Sequence, residues 1–188
     1  MNRSVDKVQE RLTRTIKALE SQRIPFGIVG GHAVRAWVAQ VDESAVRTTR
    51  DVDILIRRTD LPAVIETMES DGFVYRQISR LGKAERMDVF LDGPDGKVRD
   101  GVHLLFAGER VHPDDEFSSP SLDEIESVAA ERTIKLEALV KMKLNVFRDK
   151  DRVHLRDMLE VGLIDESWTQ LLPRNLAERL QELINNPD

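Results

Sequence analysis

The sequence predicts an α+β fold: a mixed β-sheet flanked by helices, with a C-terminal helical bundle packed against it. Three observations predict it. An amphipathic helix opens the chain, short apolar runs of strand type fill its middle, and only helical periodicity is found beyond about residue 135. A length of 188 residues without cysteine suits one domain with a helical appendage and is ample for a hydrophobic core.

Residues 4–22 carry Val5, Val8, Leu12, Ile16 and Leu19 at helical spacing, and Ser4 stands where a cap belongs. Pro25 biases Ile24 away from helix and ends the element. Residues 26–29 form a short apolar strand, and Gly30-Gly31 breaks it. Residues 32–40 read as a helix with Ala33, Val34, Trp37 and Val38 inward. After a polar loop at 42–49, residues 51–56 alternate Val52, Ile54 and Ile56 against Asp51, Asp53 and Leu55, the signature of a strand. Asp60 and Pro62 open a helix that runs to Ser70 and stops at Asp71-Gly72. Residues 73–78, 87–91 and 102–107 are further strands, and Gly93-Pro94-Asp95-Gly96 reads as a hairpin connection between the last two. Helices are expected at 135–149, 152–161 and 175–185, with a short helical piece near Trp168. The chain thus divides into an α/β core over 1–112, an acidic loop over 113–130 with room for one helical turn, and a C-terminal helical region over 131–188 packed on the core.

The net charge of −6 has an address. Residues 113–127 hold six acids and no base, which leaves 28 acids against 28 bases elsewhere. An acidic chain argues against a generic nucleic-acid binder, yet a nucleic-acid partner at a local basic site stays open. No apolar stretch approaches the ~20 residues of a membrane span, and the charged first ten residues do not read as a signal peptide, so the expected location is the cytoplasm. Without cysteine there is no thiolate metal site, and His32, His103, His112 and His154 lack the close spacing of a zinc site.

The informative stretch is residues 26–56. A strand runs into Gly30-Gly31 and then into a helix start, whose unpaired N–H groups and positive dipole end suit a phosphate. Asp51 and Asp53, two apart on a strand, point to one side. Paired carboxylates repel and call for a cation, and Mg2+ commonly takes one or two carboxylates plus substrate phosphates. The combination points to metal-dependent phosphoryl or nucleotidyl transfer. A plain surface role, with Arg50, Arg57 and Arg58 as salt partners, is the alternative.

The pattern hydrophobic-Gly-Gly, helix, then Arg-Asp-hydrophobic-Asp-hydrophobic resembles the nucleotidyltransferase superfamily of DNA polymerase β. Residues 48–56, TTRDVDILI, are most similar to the AbiEii-type and antibiotic-type bacterial nucleotidyltransferases. The resemblance implies that Gly30 and Gly31 bind the triphosphate of an NTP, with Thr49 and Arg50 beside the phosphates, and that Asp51 and Asp53 hold Mg2+. A second stretch, with Lys143 and the Arg156-Asp157 pair, resembles the helix motif of AbiEii-like proteins and implies that Lys143 and Asp157 reach the active site. For the third carboxylate of the superfamily there are two candidates, Asp88 and the strand carrying His103. Asp88 or Asp157 would be the general base.

The implied activity is Mg2+-dependent transfer of an NMP from an NTP to a hydroxyl acceptor on a small molecule, protein or RNA. Two alternatives accompany it. One is a non-catalytic nucleotide-binding module with a degenerate third carboxylate. The other is a component of a toxin–antitoxin pair. Expected partners are an NTP, the acceptor, and a second copy or an antitoxin-type protein.

Overall fold

The computed structural model describes residues 3–79, 86–111 and 115–187, with side chains from residue 7. His112 and part of the expected acidic loop lie outside the described residues. The chain order is α1 (Arg3–Ser21), β1 (Gly27–Val29), α2 (Gly30–Ala39), β2 (Val52–Ile56), α3 (Leu61–Ser70), β3 (Val74–Ser79), β4 (Arg86–Leu91), β5 (Val102–Phe106), β6 (Ile125–Val128), β7 (Glu131–Ile134), α4 (Leu136–Val146), α5 (Asp149–Glu160) and α6 (Arg174–Asn185). The strands form one mixed sheet in the order β3-β4-β5-β2-β1-β7-β6. β2–β5 and β1–β7 are parallel, and the other pairings are antiparallel.

The alternation in β2 sorts the core into two layers. Val52, Ile54 and Ile56 are fully buried on one face, with Phe90, Val102, Leu104 and Phe106, under Leu12 and Leu19 of α1 and Val64 and Met68 of α3. Leu55 faces the other way, into a second cluster with Val34 and Val38 of α2 and Leu139, Leu155 and Leu180 of the C-terminal helices. Each fully buried aliphatic side chain contributes roughly 1.5–3 kcal/mol over exposure. A one-residue slip of β2 would drive Asp53 into the α1/α3 layer and take three such residues out of it, so the register is strongly specified.

The structure corrects the expected boundaries in three places. α1 begins at Arg3, before Ser4, so Ser4 is not the residue preceding the helix. α2 begins at Gly30 rather than at His32. The stretch 125–134, expected as the end of a loop and the start of a helical region, is instead the β6–β7 hairpin, and β7 joins the sheet beside β1 through Ile28 and Thr133. Its turn is Ala129-Ala130, both at positive φ (50° and 66°). Two-residue hairpin turns of this type normally announce themselves as Asn-Gly or Asp-Gly, so an Ala-Ala turn carries no sequence signal. Among the described residues no helix is long and apolar enough to cross a membrane.

Candidate active site

Sheet register brings the site together. Val29 pairs with Asp53 across β1–β2, and Asp53 pairs with His103 across β2–β5. Asp51 lies two residues before Asp53 and shares its side of the chain. Ligand atoms of Asp51, Asp53 and His103 all lie within 4.8 Å of one another. The Gly30-Gly31 turn follows Val29 directly, so the start of α2 stands beside Asp53.

Both glycines are required by close approach. Gly30 has φ +65°, and a Cβ there would lie 1.9 Å from Asp53 Oδ2. A Cβ on Gly31 would lie 2.7 Å from Thr49 Oγ1. The turn is therefore cut to fit Asp53 of β2 and Thr49 of the loop before it. No side chain caps α2, and its first turn holds no acid. Its leading N–H groups thus retain their affinity for an anion.

Asp51 is held by groups from two elements. Thr49 Oγ1 donates to Asp51 Oδ1 at 2.7 Å, and Lys150 Nζ lies 2.9 and 3.1 Å from the two carboxylate oxygens. Burial works to raise the pKa of Asp51, but these hydrogen bonds and the Lys150 charge outweigh it and hold the carboxyl at about 2. The sequence does not point to Lys150. Its charge next to Arg148 and Asp149 reads as an ordinary solvated helix start, and no local signal links it to β2.

His103 has one nitrogen tied to the backbone. Nε2 lies 2.7 Å from the Val98 carbonyl oxygen, and Nδ1 lies 3.5 Å from Asp53 Oδ1. Burial lowers its pKa, but Asp53, the Val98 carbonyl and Asp51 together raise it.

Asp88 is not brought to this group. Val89 pairs with His103 and Phe90 with Val102, so the β4 side chain sharing the His103 face is Val89. Asp88 points with Phe90 to the opposite face. There it is 3% exposed, accepts from the Tyr75 hydroxyl and from Gln77 Nε2 at 3.3 Å, and lies 3.7 Å from Arg58 Nη1. The pleat of the sheet therefore places Asp88, expected as third ligand or general base, on the face away from Asp51, Asp53 and His103. Arg58 is engaged with Asp88 and Glu109 rather than with Asp51 or Asp53.

The remaining expected residues stand around the group. Lys143 is buried and bonds Asp151 at 2.9 Å, and Arg148 Nε closes on the same carboxylate at 3.0 Å. This cluster fixes the first turn of α5, from which Lys150 projects. Asp157 accepts from Arg47 Nε at 2.7 Å. With Gly31, Thr49, Arg35, Arg47 and His154 it lines a cavity of about 20 Å³. Arg50 is exposed, and its carbonyl accepts from Arg11 Nη1 at 3.3 Å. Two buried histidines flank the site. His32 is 3% exposed, and burial and Arg35 lower its pKa to about 4. Burial, Lys143 and Lys150 do the same for His154.

Two carboxylates and an imidazole nitrogen, beside a glycine turn that a single Cβ would obstruct, fit a divalent cation with a phosphate next to it.

Neither a protein-family model nor a curated protein matches the sequence. Solved structures do match. The antibiotic-resistance factor ANT(2'')-Ia is 14% identical, with 97% of this chain and 93% of that chain covered and a TM-score of 0.52. A candidate nucleotidyltransferase from H. pylori is 14% identical, over 100% of this chain and 80% of that one, with a TM-score of 0.54. JHP933 from Helicobacter pylori is 16% identical, over 100% and 77%, with a TM-score of 0.51. At these identities the likeness is one of architecture, and it agrees with the mixed seven-stranded sheet and the helices around it. The chain has the nucleotidyltransferase fold.

Proposed function

We propose that this protein is a divalent-metal-dependent nucleotidyltransferase that moves an NMP from an NTP to a hydroxyl acceptor. The observation that carries the reading is the convergence of Asp51, Asp53 and His103 within 4.8 Å, beside the Gly30-Gly31 turn. The fold shared with ANT(2'')-Ia and the H. pylori proteins supports it.

A bound divalent ion would activate the acceptor oxygen and neutralise charge on the phosphates. Asp51, Asp53 and His103 would hold it. The uncapped N–H groups of α2 would bind the phosphate chain, with glycine at both turn positions letting it approach the backbone. Lys150 and Arg50 would supply positive charge around it, and Thr49 orients Asp51 through their hydrogen bond. The acceptor oxygen attacks the α-phosphorus, the bond from that phosphorus to the pyrophosphate oxygen breaks, and the acceptor proton passes to a base. Asp157, in the cavity beside Gly31 and Thr49, is the better of the two expected carboxylates for that proton.

The test is the double variant Asp51→Ala with Asp53→Ala. Pyrophosphate release across an acceptor panel should fall by more than about 10³-fold, metal-dependent NTP binding should be lost, and the circular dichroism should be unchanged. Undiminished release would sink the reading. A second reading, a nucleotide-binding module without transfer, is favoured by His103 standing where the superfamily resemblance implies an acid. NTP binding with no pyrophosphate release on any acceptor would establish it instead.

A further inference from the structure

Resting on the metal-dependent reading above, we propose that Asp51, Asp53 and His103 select a divalent first-row transition ion over Mg2+, with His103 Nδ1 as a ligand. The argument starts from the hydrogen on the imidazole. His103 Nε2 lies 2.7 Å from the carbonyl oxygen of Val98. A carbonyl only accepts, so Nε2 carries the hydrogen, and the neutral ring presents a bare lone pair at Nδ1. That lone pair faces another acceptor, Asp53 Oδ1, at 3.5 Å. Two acceptors set against each other call for a cation to satisfy both.

The same tautomer is the ligating one. Histidines that bind metals commonly donate their other N–H to a carboxylate or a backbone carbonyl, which fixes the ring and raises its basicity. Here the Val98 carbonyl plays that part, and the β2–β5 register sets His103 level with Asp53. No oxygen donor displaces the ring. The β4 residue on this face is Val89, Asp88 being turned away, and among the described residues the group contains no third acid. The donor set is therefore two carboxylates and one nitrogen. Mg2+ prefers oxygen and gives up its water reluctantly. Of the first-row ions, Zn2+ and Fe2+ gain most from an imidazole and Mn2+ least, while Mn2+ shares the affinity of Mg2+ for the carboxylates.

Mn2+ is the probe, because its binding and its ligands are both read by electron paramagnetic resonance. The full chain is titrated with Mn2+, Mg2+ is measured by competition, and pulsed spectra report the nitrogen-14 coupling of a bound imidazole. The wild type should show that coupling. His103→Asp, which keeps an oxygen ligand, should lose it, and the preference for Mn2+ over Mg2+ should fall about tenfold or more. Mn2+ bound to the wild type without nitrogen coupling overturns the proposal, whatever the variant does. An equal preference in wild type and variant overturns it too. Both results leave the transferase reading intact, since that stands on the Asp51/Asp53 variant. Failure of both Mn2+ and Mg2+ to bind, with NTP present, would overturn the two together.

Discussion

Lys150 Nζ lies 2.9 Å from Asp51 Oδ1 and 3.1 Å from Asp51 Oδ2, across 99 positions of sequence. The contact ties the first turn of α5 to the start of β2, and so the C-terminal helices to the candidate site. Its worth in stability is small. The Lys150 side chain is 48% exposed, and such pairs contribute about 1 kcal/mol at most. Its larger effect is on charge, because it sets a cation against a carboxylate that is proposed to hold a metal.

Replacing Lys150 by Met removes that cation. The Asp51 pKa should rise from about 2 toward the ordinary 3.8, as carbon-13 NMR titration would read. The melting temperature should drop by no more than about 4 °C, the shift that about 1 kcal/mol produces in a chain of this size. An Asp51 carboxyl that still titrates near 2 would show that Thr49 and the backbone hold it without Lys150.

Asp88→Asn separates structure from chemistry. The buried carboxylate anchors the Tyr75 hydroxyl, which burial and the Asp88 hydrogen bond push up to about 12. Loss of its charge should cost about 1–3 kcal/mol in urea unfolding, since Arg58 and Tyr75 lose part of a buried network. Pyrophosphate release per folded molecule should stay at the wild-type level. A folded Asp88→Asn protein without turnover would return Asp88 to the mechanism.

Acid should weaken the fold before it reaches the carboxylates. His32 and His154 titrate near 4 in the native chain against 6.5 when unfolded. Between those values the unfolded state binds more protons, so stability falls as pH drops from about 6.5 to about 4. The ceiling is roughly 3 kcal/mol per histidine. Urea midpoints at pH 7 and pH 4.5 measure the fall, and His154→Gln should reduce it. His103, whose pKa is raised against burial by Asp53 and the Val98 carbonyl, works in the opposite direction, so the decisive comparison is between variants. A His154→Gln protein that loses as much stability as the wild type would contradict the burial of that ring.

The Ala129-Ala130 turn leaves room for improvement. Each alanine sits in the left-handed region, at a cost of roughly 1–2 kcal/mol. Ala129→Asn with Ala130→Gly should recover about 1 kcal/mol or more and raise the melting temperature by about 2–4 °C or more. A lower melting temperature would mean that the β6–β7 turn does not adopt this form.

Some of this architecture is written locally. Helical spacing in α1, two-residue alternation in β2 and the Gly30-Gly31 break are properties of neighbouring residues, and short-range sterics and burial are enough to read them. Asp51 and Asp53 on one side follow from the strand period alone. Other features depend on what lies across the sheet. Asp88 offers the acid and the His103 strand the better resemblance, and the Val89–His103 pairing decides which face each occupies. The β6–β7 hairpin turns on alanines that carry no turn signal, and its pairing with β1 holds it in the sheet. Lys150 meets Asp51 because the first turn of α5, tied to α4 through Lys143 and Asp151, docks beside the start of β2. By itself the sequence determined the elements and the chemical character of the site, since periodicity and residue type are local. The tertiary structure alone decided which side chains complete the site, because strand register and helix docking join residues far apart in the chain.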